Sequence, residues 1–132
     1  MTLYVDSSAF VKRHSPTESM HAECNAIMVE HDFWITSRIT AIEGPRGLAR
    51  TSPSNPAAIA SFDEDALETA FIDVDHGVVS LARAIALETG VKTLDAIHIA
   101  SAKQVPDGEL EFLTYDDRQA AAAERLGLRL AR

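Results

Sequence analysis

The sequence predicts an α/β protein: a three-layer α/β/α sandwich built on a central, mainly parallel sheet of four to five strands. Short β-prone runs at 3–5 (LYV), 33–36 (FWIT), 71–74 (FIDV), 110–114 (LEFLT) and 128–130 (LRL) alternate with stretches of helical length. That alternation is the signature of successive βαβ units. The chain has 132 residues and 46% hydrophobic content, enough for one core and too short for two ordinary domains. A single domain over 1–132 is therefore expected, with no internal repeat and no low-complexity tract.

The elements follow in order. Leu3-Tyr4-Val5 is a short strand stopped by Asp6, and Ser7-Ser8 offer caps for a helix carrying Ala9, Phe10 and Val11. Ser15-Pro16-Thr17-Glu18 reads as a capping box with proline in the first helical position, and Met20, Cys24, Ile27 and Met28 follow with helical spacing. The run at 33–36 is a second strand, followed by Ser37 as a cap and by Ile39, Ile42 and Glu43 on a helix that Gly44-Pro45 should kink or end. Ser52-Pro53-Ser54-Asn55-Pro56 is a loop rather than a linker, and Asn55-Pro56 starts a helix over AAIASFDEDALETAF. A helix bearing Leu81, Ala84, Ile85 and Leu87 closes at Gly90, and Thr93 is placed to cap the next one. Pro106 and Gly108 make a turn before the strand at 110–114, and the helix AAAAERLG, capped by Asp117, stops at Gly127.

Charge and composition narrow the function. With 20 acidic and 12 basic side chains the formal charge is −8, which argues against gripping nucleic acid or an anionic membrane by overall field. Cys24 is the sole cysteine, so neither an internal disulfide nor a thiolate cage is expected. MTLYVDSSAF lacks a basic leader pattern, and no apolar run approaches the roughly 20 residues of a membrane span. A soluble, cytoplasmic protein without a membrane partner is the expectation.

One carboxylate stands out. The helix at 94–102 is apolar on nearly every side, yet Asp95 shares a sector with His98, Ile99 and Ala102. An ionised carboxylate there must be paired, hydrogen-bonded or bound to a cation. Asp6 and Asp116 follow strands, where open α/β sheets place their sites, and Glu43 lies on the helix after the second strand. Four acids converging on one sheet edge would repel one another unless a divalent cation neutralised them, and an all-oxygen ligand set suits Mg²⁺ or Mn²⁺ and phosphoryl chemistry. Each acid also has an ordinary reading: Asp6 as a cap, Asp95 as a helix-start residue favoured by the dipole, Glu43 as a solvated helix residue. The constellation is what raises them.

YVDSSAFVK, the acid in ITAIEGPRGL, LDAIHIASA and LTYDDRQAAAAERLGL together resemble, in order and spacing, the PIN domains of the small VapC-type toxin ribonucleases. The resemblance implies a parallel sheet with acids at its carboxyl edge binding Mg²⁺ or Mn²⁺, endoribonuclease activity, a cognate VapB-type antitoxin and homodimerisation. It makes Asp6, Glu43, Asp95 and Asp116 the catalytic acids, with Asp6, Asp95 and Asp116 as metal ligands. Ser7 and Thr114 become supporting hydroxyls, Ser7 as a donor to Asp6, and Asp117 an alternate for the fourth acid. Water, activated by the metal, would attack the RNA phosphodiester. Departing from the family, Gly44-Pro45 falls where relatives continue a regular helix, which puts the aim of Glu43 in question.

So acidic a site needs basic neighbours to hold RNA, and Lys12, Arg13, Arg38, Arg46 and Arg50 form the candidate rim. An antitoxin groove would draw on Phe10, Val11 and Trp34, with Ile27 read as core and ordinary packing the simpler account of each. His98 is read as a packed, hydrogen-bonded core residue, with orientation of Asp95 as the alternative. His21 and Cys24 supply too few ligands for structural zinc. An inactive PIN scaffold and a receiver-like module are the other readings. The receiver-like module would want paired acids after the first strand and a lysine after the last, which this chain lacks.

Overall fold

The computed structural model describes residues 1–106 and 108–132. Its elements run β1 (Thr2–Val5), α1 (Ser7–Arg13), α2 (His21–Val29), β2 (Phe33–Ser37), α3 (Thr40–Thr51), α4 (Ala57–Leu67), β3 (Ala70–Ile72), α5 (His76–Thr89), α6 (Thr93–Ala102), β4 (Leu110–Leu113), α7 (Asp117–Arg125) and β5 (Arg129–Leu130). Among the described residues the five strands form one all-parallel sheet in the order β3-β2-β1-β4-β5. The α/β sandwich expected from the sequence is what forms.

Leu3, Tyr4 and Val5 are all fully buried, as a central parallel strand covered on both faces must be. Leu3, Val5 and Leu113 pack with Phe10, Met28, Leu48 and Phe62 under the layer of α1 to α4. Tyr4 and Phe112 face the opposite layer, with Ile85, Ile99 and Ala123 from α5, α6 and α7. Phe10 thus lies in the core, whereas Val11, Ile27 and Trp34 are partly buried against it.

Four local expectations are corrected. The helix after Ser15 starts at His21, not Pro16: the Ser15 carbonyl takes the Glu18 N–H in a turn, and its hydroxyl lies 3.4 Å from that of Thr51. Met20 enters α2 at φ 66°, and His21 anchors the first turn with Nδ1 2.7 Å from the Lys12 carbonyl. Pro45 neither ends nor breaks α3, which runs through it. The carbonyl that Pro45 leaves without a helical partner belongs to Ala41, an exposed residue that water reaches. Thr93 is the first helical residue of α6 rather than its cap, and Asp116, not Asp117, caps α7.

Gly44 and Gly47 explain how α3 packs. A Cβ on Gly44 would stand 2.5 Å from the Phe62 ring, and one on Gly47 would stand 2.7 Å from a Val11 methyl. Without side chains there, α4 and α1 close on α3 from two sides, and α3 carries Glu43 on the turn so held.

Candidate active site

The strand order reverses between β1 and β4, and ligand sites of open α/β sheets lie beyond the carboxyl ends at such a switch. Val5 and Leu113 are paired across that boundary, and the Asp6 amide donates to the Leu113 carbonyl at 3.1 Å. Asp6 and the Thr114-Asp116 turn therefore leave the sheet side by side.

Asp6 is buried. As the N-cap of α1, its Oδ1 accepts from the Ala9 amide at 2.9 Å and the Ser8 hydroxyl at 2.7 Å, while Thr114 Oγ1 lies 2.5 Å from Oδ2. Burial pushes this carboxyl above its usual value, against the pull of His98 and of these donors. Thr114 Oγ1 also lies 2.7 Å from Gln119 Oε1 and accepts the Asp116 amide at 3.1 Å.

Asp116 is exposed and caps α7, accepting the Gln119 amide at 3.0 Å. Asp95, half-buried in the first turn of α6, is raised by burial and by repulsion from Asp116, Asp6 and Glu43, with His98 opposing. Hydrogen bonds tie the four to one edge: Ser7, beside Asp6, reaches Glu43, and Gln119 links Asp116, Thr114 beside Asp6, and the Asp95 carbonyl. Glu43 differs: burial pushes it up, but hydrogen bonds from His98 and Ser7 outweigh that and hold it below the usual carboxylate value. His98 Nε2 and Ser7 Oγ reach the same oxygen, Oε1, at 2.8 and 2.5 Å.

A scan against family models finds the PIN domain over residues 3–125. The chain belongs to the PIN-domain family. Ribonuclease VapC46 of Mycobacterium tuberculosis is 31% identical over 130 residues, spanning 96% of this chain and 93% of that protein. Ribonuclease VapC47 of the same species is 27% identical over 128 residues, spanning 95% and 92%. These relatives place this PIN domain in the VapC type. Among solved structures, Mycobacterium tuberculosis VapC20, described as a sarcin-ricin loop cleaving toxin, superposes with TM-score 0.75 at 17% identity over 91% of this chain and 94% of that one. VapBC2 of Rickettsia felis, bound to a promoter DNA fragment, gives 0.67 at 12% identity over 98% and 97%. At those identities the likeness is one of fold.

The PIN site reassigns several supporting residues. Ser7 serves Glu43, and it is Ser8 that donates to Asp6 while accepting the Tyr115 amide at 3.0 Å. Asp117 is exposed and is the first residue of α7, next to the cap Asp116. Lys12, Arg46 and Arg50 line a groove of about 740 Å³ that includes Ser7 and Glu43. Arg13 is committed elsewhere, with Nε 2.6 Å from Asp65 and its guanidinium over Trp34. Arg38 pairs with Asp73 and lies over Phe71, and it does not line that groove.

His98 is the packed, hydrogen-bonded residue the sequence suggested, buried with Nδ1 2.8 Å from the Tyr4 hydroxyl; its partner at the site is Glu43, not Asp95. Sequence reasoning missed Tyr4 and Gln119. Gln119, wholly buried, bonds Thr114 and donates from Nε2 to the Asp95 carbonyl at 3.3 Å, joining β4, α6 and α7. Asp116-x-x-Gln119 is a capping-box spacing, the one signal that could have found it.

The donor chemistry of this edge fits a hard divalent cation, since the converging groups are carboxylate oxygens. Among the described residues no three acidic, histidine or cysteine side chains form a closed ligand group. Mg²⁺ seldom asks for one, being held by one or two carboxylates with water and substrate phosphate completing the shell.

Proposed function

We propose that this PIN domain is a Mg²⁺- or Mn²⁺-dependent endoribonuclease, acting in the cytoplasm as the toxin of a toxin–antitoxin pair. The observation that carries the reading is the concentration of Asp6, Glu43, Asp95 and Asp116 at the switch point, linked through Ser7, Thr114 and Gln119, where burial first and then the other three acids disfavour Asp95 as an anion. Such repulsion is costly unless something positive offsets it.

Asp6, Asp95 and Asp116 would hold the ion, directly or through water. A bound ion supplies charge stabilisation at the scissile phosphate and a water of lowered pKa. Glu43, kept ionised by His98 and Ser7, orients the attacking water and takes up its proton. Attack by water leaves a 5′-phosphate and a 3′-hydroxyl; a 2′,3′-cyclic phosphate product would overturn the mechanism. Lys12, Arg46 and Arg50 contact the backbone of the bound RNA along their groove. Replacing all three by Gln should weaken RNA binding and flatten its salt dependence, and an unchanged slope would remove the rim. The VapC-type relatives and the VapBC2 neighbour support a VapB-type antitoxin partner. The homodimer rests on the family resemblance alone, and a strict monomer in analytical ultracentrifugation would remove it.

The deciding experiment incubates purified, partner-free protein with total RNA in Mg²⁺, Mn²⁺ or EDTA, beside Asp95→Asn. Discrete, metal-dependent cutting lost in the variant supports the reading. Absence of cutting under any metal leaves a PIN scaffold that binds without reacting.

A further inference from the structure

Behind Glu43 lies a buried polar column whose inner member, Tyr4, the reaction as stated does not use, and whose His98 enters it only as a donor that keeps Glu43 ionised. Tyr4, fully buried in the central strand with its ring stacked on Phe112 at 5.1 Å, has its hydroxyl 2.8 Å from Nδ1 of His98. His98, buried on α6, presents Nε2 to Glu43 Oε1 at 2.8 Å and to Ser7 Oγ at 3.1 Å. The hydrogens can be counted. An ionised Glu43 only accepts, so Nε2 carries the hydrogen that points at Oε1, while the Tyr4 hydroxyl engages Nδ1 on the opposite side of the ring. Tyr4 thereby fixes the ring orientation that faces Glu43, as the outer partner of a ligating histidine does in metal sites.

The column is also one-sided. Among the described residues, the hydrogen bonds to Glu43 end on Oε1, leaving Oε2 without an intramolecular partner. A free glutamate side chain has three torsions to order, and a working one must be held within about 0.5 Å of its productive place. Glu43 has no local cap to do this; its partners lie 36 and 55 residues away in sequence.

We propose that His98, set by Tyr4, is a positioning residue for the ribonuclease reaction: it fixes one oxygen of Glu43 so that the other is presented to the reacting water. The inference rests on the function proposed above. It makes the histidine of LDAIHIASA part of the working site, acting through Glu43 and not through Asp95.

The test uses the full chain and an end-labelled RNA oligonucleotide spanning a mapped cut, with kcat and KM measured for wild type, His98→Gln, His98→Asn and Tyr4→Phe. Glutamine can put its amide nitrogen where Nε2 lies, whereas asparagine reaches only the Nδ1 place. His98→Asn should lose roughly 10- to 100-fold in kcat, as loss of an outer partner typically does, with KM for RNA nearly unchanged. His98→Gln should recover most of that loss, and Tyr4→Phe should fall between them. In a Glu43→Ala background the difference between Gln and Asn should vanish, because the residue through which they act is gone. Gln no better than Asn, a loss confined to KM, or a difference that persists without Glu43 would each overturn the inference while wild type still cuts. If wild type itself cuts nothing with either metal, the proposed function fails and this inference falls with it.

Discussion

The two halves of the acidic edge are built in opposite ways. Asp6 and Asp116 are helix caps, each holding an amide three residues ahead, so the chain that carries them also aims them. Glu43 is aimed by Ser7 and His98 from other helices. The halves differ in charge as well: burial raises Asp6, and burial with mutual repulsion raises Asp95, whereas donated hydrogen bonds lower Glu43. Under the proposed function the two surroundings suit two tasks: carboxylates whose anionic form burial disfavours gain most from a cation, and a group that is to receive a proton must be ionised beforehand.

The most severe way to break the contrast is Asp95→Asn. Cutting should fall below detection, while the metal-free protein becomes more heat-stable because a repelled charge is gone. In EDTA the wild type should lose stability as pH rises from the unfolded carboxyl value, about 3.9, through the higher folded value of Asp95, since the folded state there holds the extra proton. The variant should show a flatter slope, and added Mn²⁺ should raise its melting temperature less than it raises that of wild type. Melting curves across that pH range, with and without metal, check all three expectations.

Gln119→Ala should come next. It strips the buried link between Thr114 and the Asp95 carbonyl and should cost about 1–3 kcal/mol, read by urea unfolding, together with part of the activity. Full activity in the folded variant would mean that the cap half needs no cross-tie. Gly44→Ala drives a methyl into the Phe62 ring and should cost about 1–3 kcal/mol; Phe62→Leu in the same chain should recover much of it. Smallest are the adjacent serines. Ser8→Ala, on the Asp6 side, should shift the metal concentration needed for half-maximal cutting. Ser7→Ala, on the Glu43 side, should lower the rate at saturating metal. Both substitutions altering the same parameter would erase the distinction between the halves.

Much of this was legible in the sequence because it is written locally. Alternating strand and helix stretches specify an α/β sheet, and Asp6 and Asp116 are visible as strand-end acids because cap and strand are neighbours in the chain. Asp95 is conspicuous because its own helix is apolar. The misread pieces share a cause, which is competition from distant partners. The Ser15 turn diverts a capping-box pattern, its hydroxyl turned toward Thr51, and Pro45 passes through α3 because the carbonyl it orphans is exposed while Gly44 seats the helix on Phe62.

What the sequence determined by itself is the fold class, the family pattern and which acids are the candidates, since periodicity, caps and turns act over a few residues. Tertiary structure alone decided which serine serves which acid, which basic residues are left to line the groove, and that His98 turns to Glu43. Those choices depend on distances of a few ångströms between residues dozens of positions apart, and only the packed sheet brings them within reach of a hydrogen bond.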